Sequence, residues 1–258
     1  DLKEAFAGEA KFSQKPQLLL SASVPGNVEA IAVGYDVKEL NKHLDMFNVM
    51  TYDFHGDWER QVGHNSPLYP LEGASVYDSK LTVDYSASEW VKKGASKEKM
   101  CIGIPTYGRT YILKNDSWTD VGAPAVGGGE PGNYTGEPGF MAFFEVCDFL
   151  KSGATLVWDD EQMVPYAYKG NQWVGFDDMR SVRSKVNAKK VDCKDADGVI
   201  SYHQDKQDCS KYYLCHGRRR HHMPCPPNLV FNPDENLCDW PENVDSCLLT
   251  SSENSIVV

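Results

Sequence analysis

The pair of residues with the clearest capacity for chemistry is Tyr52-Asp53, which ends the apolar run Phe47-Asn-Val-Met-Thr-Tyr52 and opens a Gly-containing loop that reaches Trp58. A phenol and a carboxylate at the carboxyl end of a strand can donate to and accept from a bound ligand, and a parallel α/β barrel keeps its chemistry at that end. Asp is also an ordinary turn former there, so the pair alone leaves both readings open. A second cluster is Cys193, Cys209, Cys215, Cys225, Cys238 and Cys247, separated by 15, 5, 9, 12 and 8 residues. None of these gaps is the short spacing of a zinc-ligand pair. Six cysteines in so short a segment imply a disulfide framework, because below roughly 70 residues an apolar core alone seldom gives enough stability. The run Arg218-Arg-Arg-His-His222 is the one basic cluster, and between Cys215 and Cys225 it reads as a solvated loop rather than a polyanion site.

The elements that must position these groups follow from periodicity and punctuation. Residues 17–24 read as a short strand closed by Pro25-Gly26, Phe47 to Tyr52 as a second, and Met100 to Ile104 as a third that stops at Pro105. Between them Val37, Leu40 and Leu44 lie at helical spacing. Leu81 to Lys93 forms a helix with Val83, Ala87, Trp90 and Val91 on one side and Gly94 as its C-terminal cap. Strands alternating with helices predict an α/β fold with a parallel sheet, doubly wound or closed into a barrel. From Tyr111 to about Asp178 a Gly/Pro-rich, aromatic stretch predicts an inserted α+β subdomain. Met179, Val182 and Val186 give a last helix, and a domain boundary is expected near residue 190. The domains read as 1–190, with the insertion at about 111–178, then 191–247, then a flexible tail at 248–258.

Charge narrows the partners. A net charge of -11 over 258 residues repels polyanions, so neither nucleic acid nor an anionic membrane surface is expected as partner. No run of about 18 apolar residues is present, so no membrane span is expected. No nucleotide or metal motif stands out, and no cofactor or metal is expected. The chain opens Asp1-Leu-Lys-Glu-Ala-Phe6, without Met or an apolar leader core, as expected of a chain whose secretory signal lies outside it. The cysteines, with the sequons at Asn115 and Asn133, predict glycosylation at those sites and a secreted, extracellular protein.

Two resemblances sharpen this reading. Met50-Thr-Tyr-Asp-Phe-His-Gly-Asp-Trp58, Gly63-His-Asn-Ser-Pro-Leu68, Gly103-Ile-Pro-Thr-Tyr-Gly-Arg-Thr110, Val121-Gly-Ala-Pro-Ala125 and Gln172-Trp-Val-Gly-Phe-Asp-Asp178 together resemble a glycoside hydrolase family 18 chitinase. The resemblance implies that the three strands are the fifth to seventh of a (β/α)8 TIM barrel, incomplete in this chain, and that the Gly/Pro-rich stretch is the family's insertion domain. It implies chitin or chito-oligosaccharides as partner, and substrate-assisted retaining hydrolysis of β-1,4-linked N-acetylglucosamine in the complete form. On that reading Tyr52 holds the acetamide oxygen, Asp53 binds sugar beside it, Met50 walls the acetamide pocket, Trp58 stacks on the leaving-group side, and Tyr107 and Arg109 bind hydroxyls. The alternative for Arg109 is a salt bridge to an insertion-domain carboxylate.

The cysteine segment, with Tyr212-Tyr-Leu-Cys215, Cys225-Pro-Pro-Asn-Leu-Val-Phe-Asn-Pro233 and Cys238-Asp-Trp-Pro241, resembles a peritrophin-A-type chitin-binding domain, a small disulfide-rich β module. This implies the pairs Cys193–Cys215, Cys209–Cys247 and Cys225–Cys238, and a sugar-stacking face among Trp240, Phe231, Tyr213 and Tyr202.

The chain departs from the barrel family twice. The catalytic run D-x-x-D-x-D-x-E, whose Glu is the general acid, occurs nowhere in the 258 residues. After Lys190, where the family places its eighth strand, Val191-Asp-Cys193 begins the binding module. The alternative reading is therefore a non-catalytic chitin-binding protein. Cys147 matches a family cysteine whose partner follows the eighth strand, and Cys101 reads as a small buried apolar residue.

Overall fold

A computed structural model describes residues 2–186, 200–205, 208–216 and 219–244. The chain divides into two compact units, Asp1–Val186 and Asn187–Val258.

The first unit is built on three parallel strands, β1 (Ser21–Pro25), β2 (Met46–Met50) and β3 (Met100–Ile102), in the order β1-β2-β3. β1 starts later than the apolar run suggests, because pairing begins only where Asp45 and Leu20 exchange their first bonds. Alternate residues take opposite faces. Val24, Phe47 and Val49 point to the helices α2 (Val28–Gly34), α3 (Val37–His43) and α4 (Val83–Lys93), and form one core with Ile31, Val37 and Trp90. α4 ends as expected at Gly94, φ 116°, but begins two residues later than Leu81, because Thr82 caps it by accepting from the Tyr85 amide. An exposed helix, α1 (Leu2–Ser13), precedes β1, with Lys3 paired to Asp45.

On the other face of the sheet Ser23, Asn48 and Cys101 stand in register, one from each strand. That face corrects one expectation. Cys101 is exposed, not buried, because the period of two sends it away from the helices that cover Met100 and Ile102.

After β3 the chain builds an antiparallel sheet from β4 (Tyr107–Leu113), β5 (Ala125–Gly128), β6 (Phe140–Ala142), β7 (Thr155–Asp159), β8 (Val164–Lys169) and β9 (Gln172–Gly175). Its order is β5-β4-β9-β8-β7, with β6 also on β4. The sheet begins at Tyr107, so Tyr107 and Arg109 ride on its first strand. Tyr111, Trp173 and Tyr166 fill its core, the last two stacked at 5.1 Å. Helix α5 (Phe143–Lys151) lies between β6 and β7 in sequence, and α6 (Met179–Val186) closes the unit.

The second unit pairs β10 (Ile200–Gln204), β11 (Lys211–His216) and β12 (Arg219–Pro224) antiparallel, beside a hairpin of β13 (Val230–Asn232) and β14 (Leu237–Asp239). Cys225 and Cys238 are bridged, with Cα atoms 5.7 Å apart. Cys209 and Cys215 are also disulfide-bonded. Their expected partners, Cys247 and Cys193, lie outside the described residues, as do Arg218 and the tail.

Candidate functional site

The site is built around the end of β2. Asp53 adopts φ +58°, a left-handed backbone that a non-Gly residue holds only when its surroundings fix it. Asn65 does so: buried at 1% exposure, its Oδ1 accepts the Asp53 N–H at 2.9 Å and its Nδ2 donates to the Tyr107 carbonyl at 3.1 Å. Asn65 therefore ties the end of β2 to the start of β4. The side chains close the same ring, because the Tyr107 hydroxyl donates to Asp53 Oδ1 at 2.7 Å.

Arg109 adds two more donors to that oxygen, Nε at 2.9 Å and an Nη2 at 2.7 Å. Three donors thus converge on Oδ1, and none of these bonds uses Oδ2. The expected alternative for Arg109, an insertion-domain carboxylate, is not what it meets; its partner is Asp53. Its guanidinium also lies 5.1 Å from the Trp58 ring centre and 5.5 Å from that of Tyr107. Burial first, and then the bond to Asp53, hold the Tyr107 phenol well above its ordinary pKa, so it remains a donor at any working pH.

Two glycines make room for the rings. A methyl group on Gly103 would stand 2.7 Å from Tyr52 Cε1 and 2.8 Å from the Val49 carbonyl, so only glycine lets Tyr52 lie against the end of β3. On Gly56 it would stand 2.2 Å from Trp58 Cζ3. Trp58 therefore rests on bare backbone, and it is 57% exposed.

Met50, Tyr52, Asp53 and Trp58 line one open cleft of about 430 Å³, together with Phe54, Glu59, Tyr77 and Leu81. Tyr107 and Arg109 reach this cleft through Asp53. Among the described residues no group of three or more His, Cys, Asp or Glu is placed to hold a metal ion.

Sequence reasoning missed the bracket beneath the site. His64, Asn65 and Ser66 are all buried, and each makes a distinct tie. His64 Nε2 meets Asp159 Oδ2 at 3.2 Å, while Ser66 Oγ donates to the Thr51 carbonyl at 2.6 Å. Behind Ser66, Lys185 Nζ donates to Ser66 Oγ at 2.8 Å and to both oxygens of Asp177 at 2.6 and 2.7 Å. Burial lowers the Lys185 pKa, and the Asp177 carboxylate opposes that shift. The available signal was the polar triplet inside Gly63-His-Asn-Ser-Pro-Leu68, whose burial nothing in the spacing announces.

In the second unit Trp240 is 54% exposed and Tyr202 39% exposed, so both can present a ring face. Tyr213 is half-buried, stacked on His222 at 4.5 Å. Phe231 corrects an expectation: at 1% exposure, stacked on Tyr212 at 4.8 Å, it is core and offers no face to a ligand. Below about 70 residues such a module has few large apolar groups, and this ring supplies its interior.

Comparison with known proteins decides the family. The pattern of glycosyl hydrolases family 18 matches residues 1–208. The chain belongs to that family. The chitin binding Peritrophin-A domain matches residues 193–247, so family 18 and chitin-binding portions share one chain. The oviduct-specific glycoprotein of Sus scrofa is 46% identical over 178 residues, covering 69% of this chain. The chain spans about a third, 33%, of that relative's length. Among solved structures, an immunomodulatory active chitinase from Trichuris suis is 44% identical with a TM-score of 0.70, covering 72% of this chain and 50% of that one. Human YKL-39, a pseudo-chitinase with retained chitooligosaccharide binding properties, is 44% identical with a TM-score of 0.69 over 72% of this chain and 51% of its own. The parallel strands and the antiparallel sheet are thus part of the family's TIM-barrel fold with its insertion.

Proposed function

We propose that this chain binds β-1,4-linked N-acetylglucosamine polymers at two places, the cleft beside Asp53 and the exposed aromatics of the second unit, and does not cut them by itself. One observation carries the reading: Asp53 is held by Tyr107, Arg109 and Asn65, with both side-chain partners on one carboxylate oxygen, and it lines a single cleft with Tyr52 and the exposed Trp58. An acceptor next to flat rings suits a pyranose, whose hydroxyls donate while its apolar face stacks.

The roles follow residue by residue. Tyr52 holds the acetamide oxygen, Met50 walls that pocket, Asp53 Oδ2 accepts a hydroxyl, and Trp58 carries the next ring. Hydrolysis in this family needs a positioned acid, typically worth about 10²–10⁴-fold, and the 258 residues hold no D-x-x-D-x-D-x-E run to supply one. YKL-39, the pseudo-chitinase that retains chitooligosaccharide binding, gives a relative in which the two properties are separate. Secretion and extracellular placement follow from the disulfide-bonded module and the sequons. In that compartment Asn115 and Asn133, both exposed, are the glycosylation sites.

The test combines retention on chitin beads with release of sugar from a fluorogenic chito-oligosaccharide. Retention at low and high salt with no release is expected, because an uncharged ligand leaves little for salt to screen. Turnover that survives chromatography would overturn the non-catalytic part, and washing off in salt would overturn the stacking part.

A further inference from the structure

Among the groups on the cleft wall that have no part in the arrangement above are Glu59, Tyr77 and Leu81. Tyr77 is 48% exposed, close to the 57% of Trp58, so the cleft has a second open aromatic ring. The loop that carries it is well fixed. Ser75 Oγ caps Asp78 by accepting its N–H at 3.0 Å and donating to its carboxylate at 2.7 Å, and the Lys80 N–H donates to the Tyr77 carbonyl at 3.0 Å. Leu81, next in the chain, is buried against Phe54 in a separate apolar cluster, which anchors the loop to the cleft floor.

Glu59 is also aimed. Its Oε2 meets His55 Nδ1 at 2.9 Å, with the carboxylate side chain still 25% exposed. An anchored loop with an open ring, facing the same cleft as a partly exposed carboxylate, has the composition of a sugar site: a surface to stack on and an acceptor for hydroxyls.

We infer that Tyr77 and Glu59 form an additional pyranose position, so that the cleft holds a longer N-acetylglucosamine oligomer than the Tyr52–Asp53–Trp58 set would hold alone. The inference rests on the sugar-binding reading of the cleft. A short oligomer settles on the Asp53 and Trp58 positions and leaves Tyr77 bare, whereas a long one covers both aromatics. Tyr77 therefore sets chain-length preference.

Calorimetric titration of the full chain with chitotriose and with chitohexaose tests this, using Trp240→Ala as the common background so that the second unit's most exposed ring is absent throughout. Tyr77→Ala is expected to weaken chitohexaose binding by about tenfold, the scale of one lost stacking contact, and to leave chitotriose unchanged. Tyr77→Phe keeps the ring and should bind both as the parent does. An equal loss for both oligomers, or no loss for either, overturns the additional position while the cleft reading stands. A parent that binds neither oligomer overturns the cleft reading and this position together.

Discussion

Lys185 and Asp177 form an ion pair with both side chains almost wholly out of water, at 1% and 2% exposure, and a nitrogen-to-oxygen distance of 2.6 Å. The pair lies beneath the site: Lys185 holds Ser66, and Ser66 holds the Thr51 carbonyl just before Tyr52. Two charges removed from water in this way are stable only together, since either alone keeps its desolvation penalty without its partner.

Lys185→Ala should therefore destabilise the first unit by about 3–5 kcal/mol, the usual result of stranding one member of a buried pair. The double variant Lys185→Met with Asp177→Leu should be less damaging than the single one. Urea unfolding followed by tryptophan fluorescence distinguishes the two, and a double variant worse than the single would show that the charges themselves are needed.

Asn65→Ala removes the bond that fixes the left-handed backbone of Asp53 and strands a buried amide, at a cost of about 1–3 kcal/mol. Chitohexaose affinity should fall with it, because Asp53 then no longer meets Tyr107 and Arg109 in one geometry. Asn65→Asp keeps the acceptor for the Asp53 N–H, loses the donor to Tyr107, and should lie between the two. Crystal structures of the variants read the Asp53 φ angle directly; an unchanged angle with unchanged affinity would refute the role given to Asn65.

Much of the arrangement is readable in the sequence, and the limits have physical causes. Tyr52, Asp53, Trp58 and Arg109 lie in short runs of distinctive residue types, so linear order singles them out as candidates, and the structure gathers them around Asp53. The end of the helix Val83–Lys93 is legible because Gly94 is a local signal with a local effect, whereas its start, expected at Leu81, is set by the Thr82 cap. Asn65 and Lys185 are not, since their roles depend on partners 12 and 119 residues away. Phe231 and Cys101 mislead for the same reason in reverse: residue type suggests a surface ring and a buried thiol, while the packing of Tyr212 and the open side of the parallel sheet decide otherwise.

Gly103→Ala should lower both stability and binding, because the added methyl meets the Val49 backbone carbonyl at 2.8 Å. The same methyl meets the Tyr52 ring at 2.7 Å, and either the ring or the strand end must move. Loss of chitohexaose affinity together with a lower thermal unfolding temperature than that of the parent is the expected outcome. Equal affinity would mean that Tyr52 has room to tilt and that the glycine is not required.

Acid stability should depend on Asp159. Burial alone would raise its pKa, but the bond from His64 and the amides of Gln162 and Glu161 outweigh burial and hold it below the usual carboxylate value. A carboxylate depressed in the folded state contributes stability above its unfolded pKa, near 3.9, and loses it as pH falls through the folded value. Asp159→Asn should therefore flatten the loss of stability below about pH 4 while lowering stability at neutral pH. Thermal unfolding at stepped pH measures this, and parallel curves for parent and variant would assign the acid sensitivity elsewhere.

The three parallel strands have one more consequence, for behaviour in concentrated solution. In the order β1-β2-β3 both outer strands have an edge unpaired among the described residues, the kind of surface on which one chain can template another. Here β3 is three residues long, and β1 is five and ends in Pro25, which has no amide hydrogen to give. Brevity and a missing donor limit the bonds each edge can offer a second sheet, so the same punctuation that ends the strands near the cleft also blunts their edges.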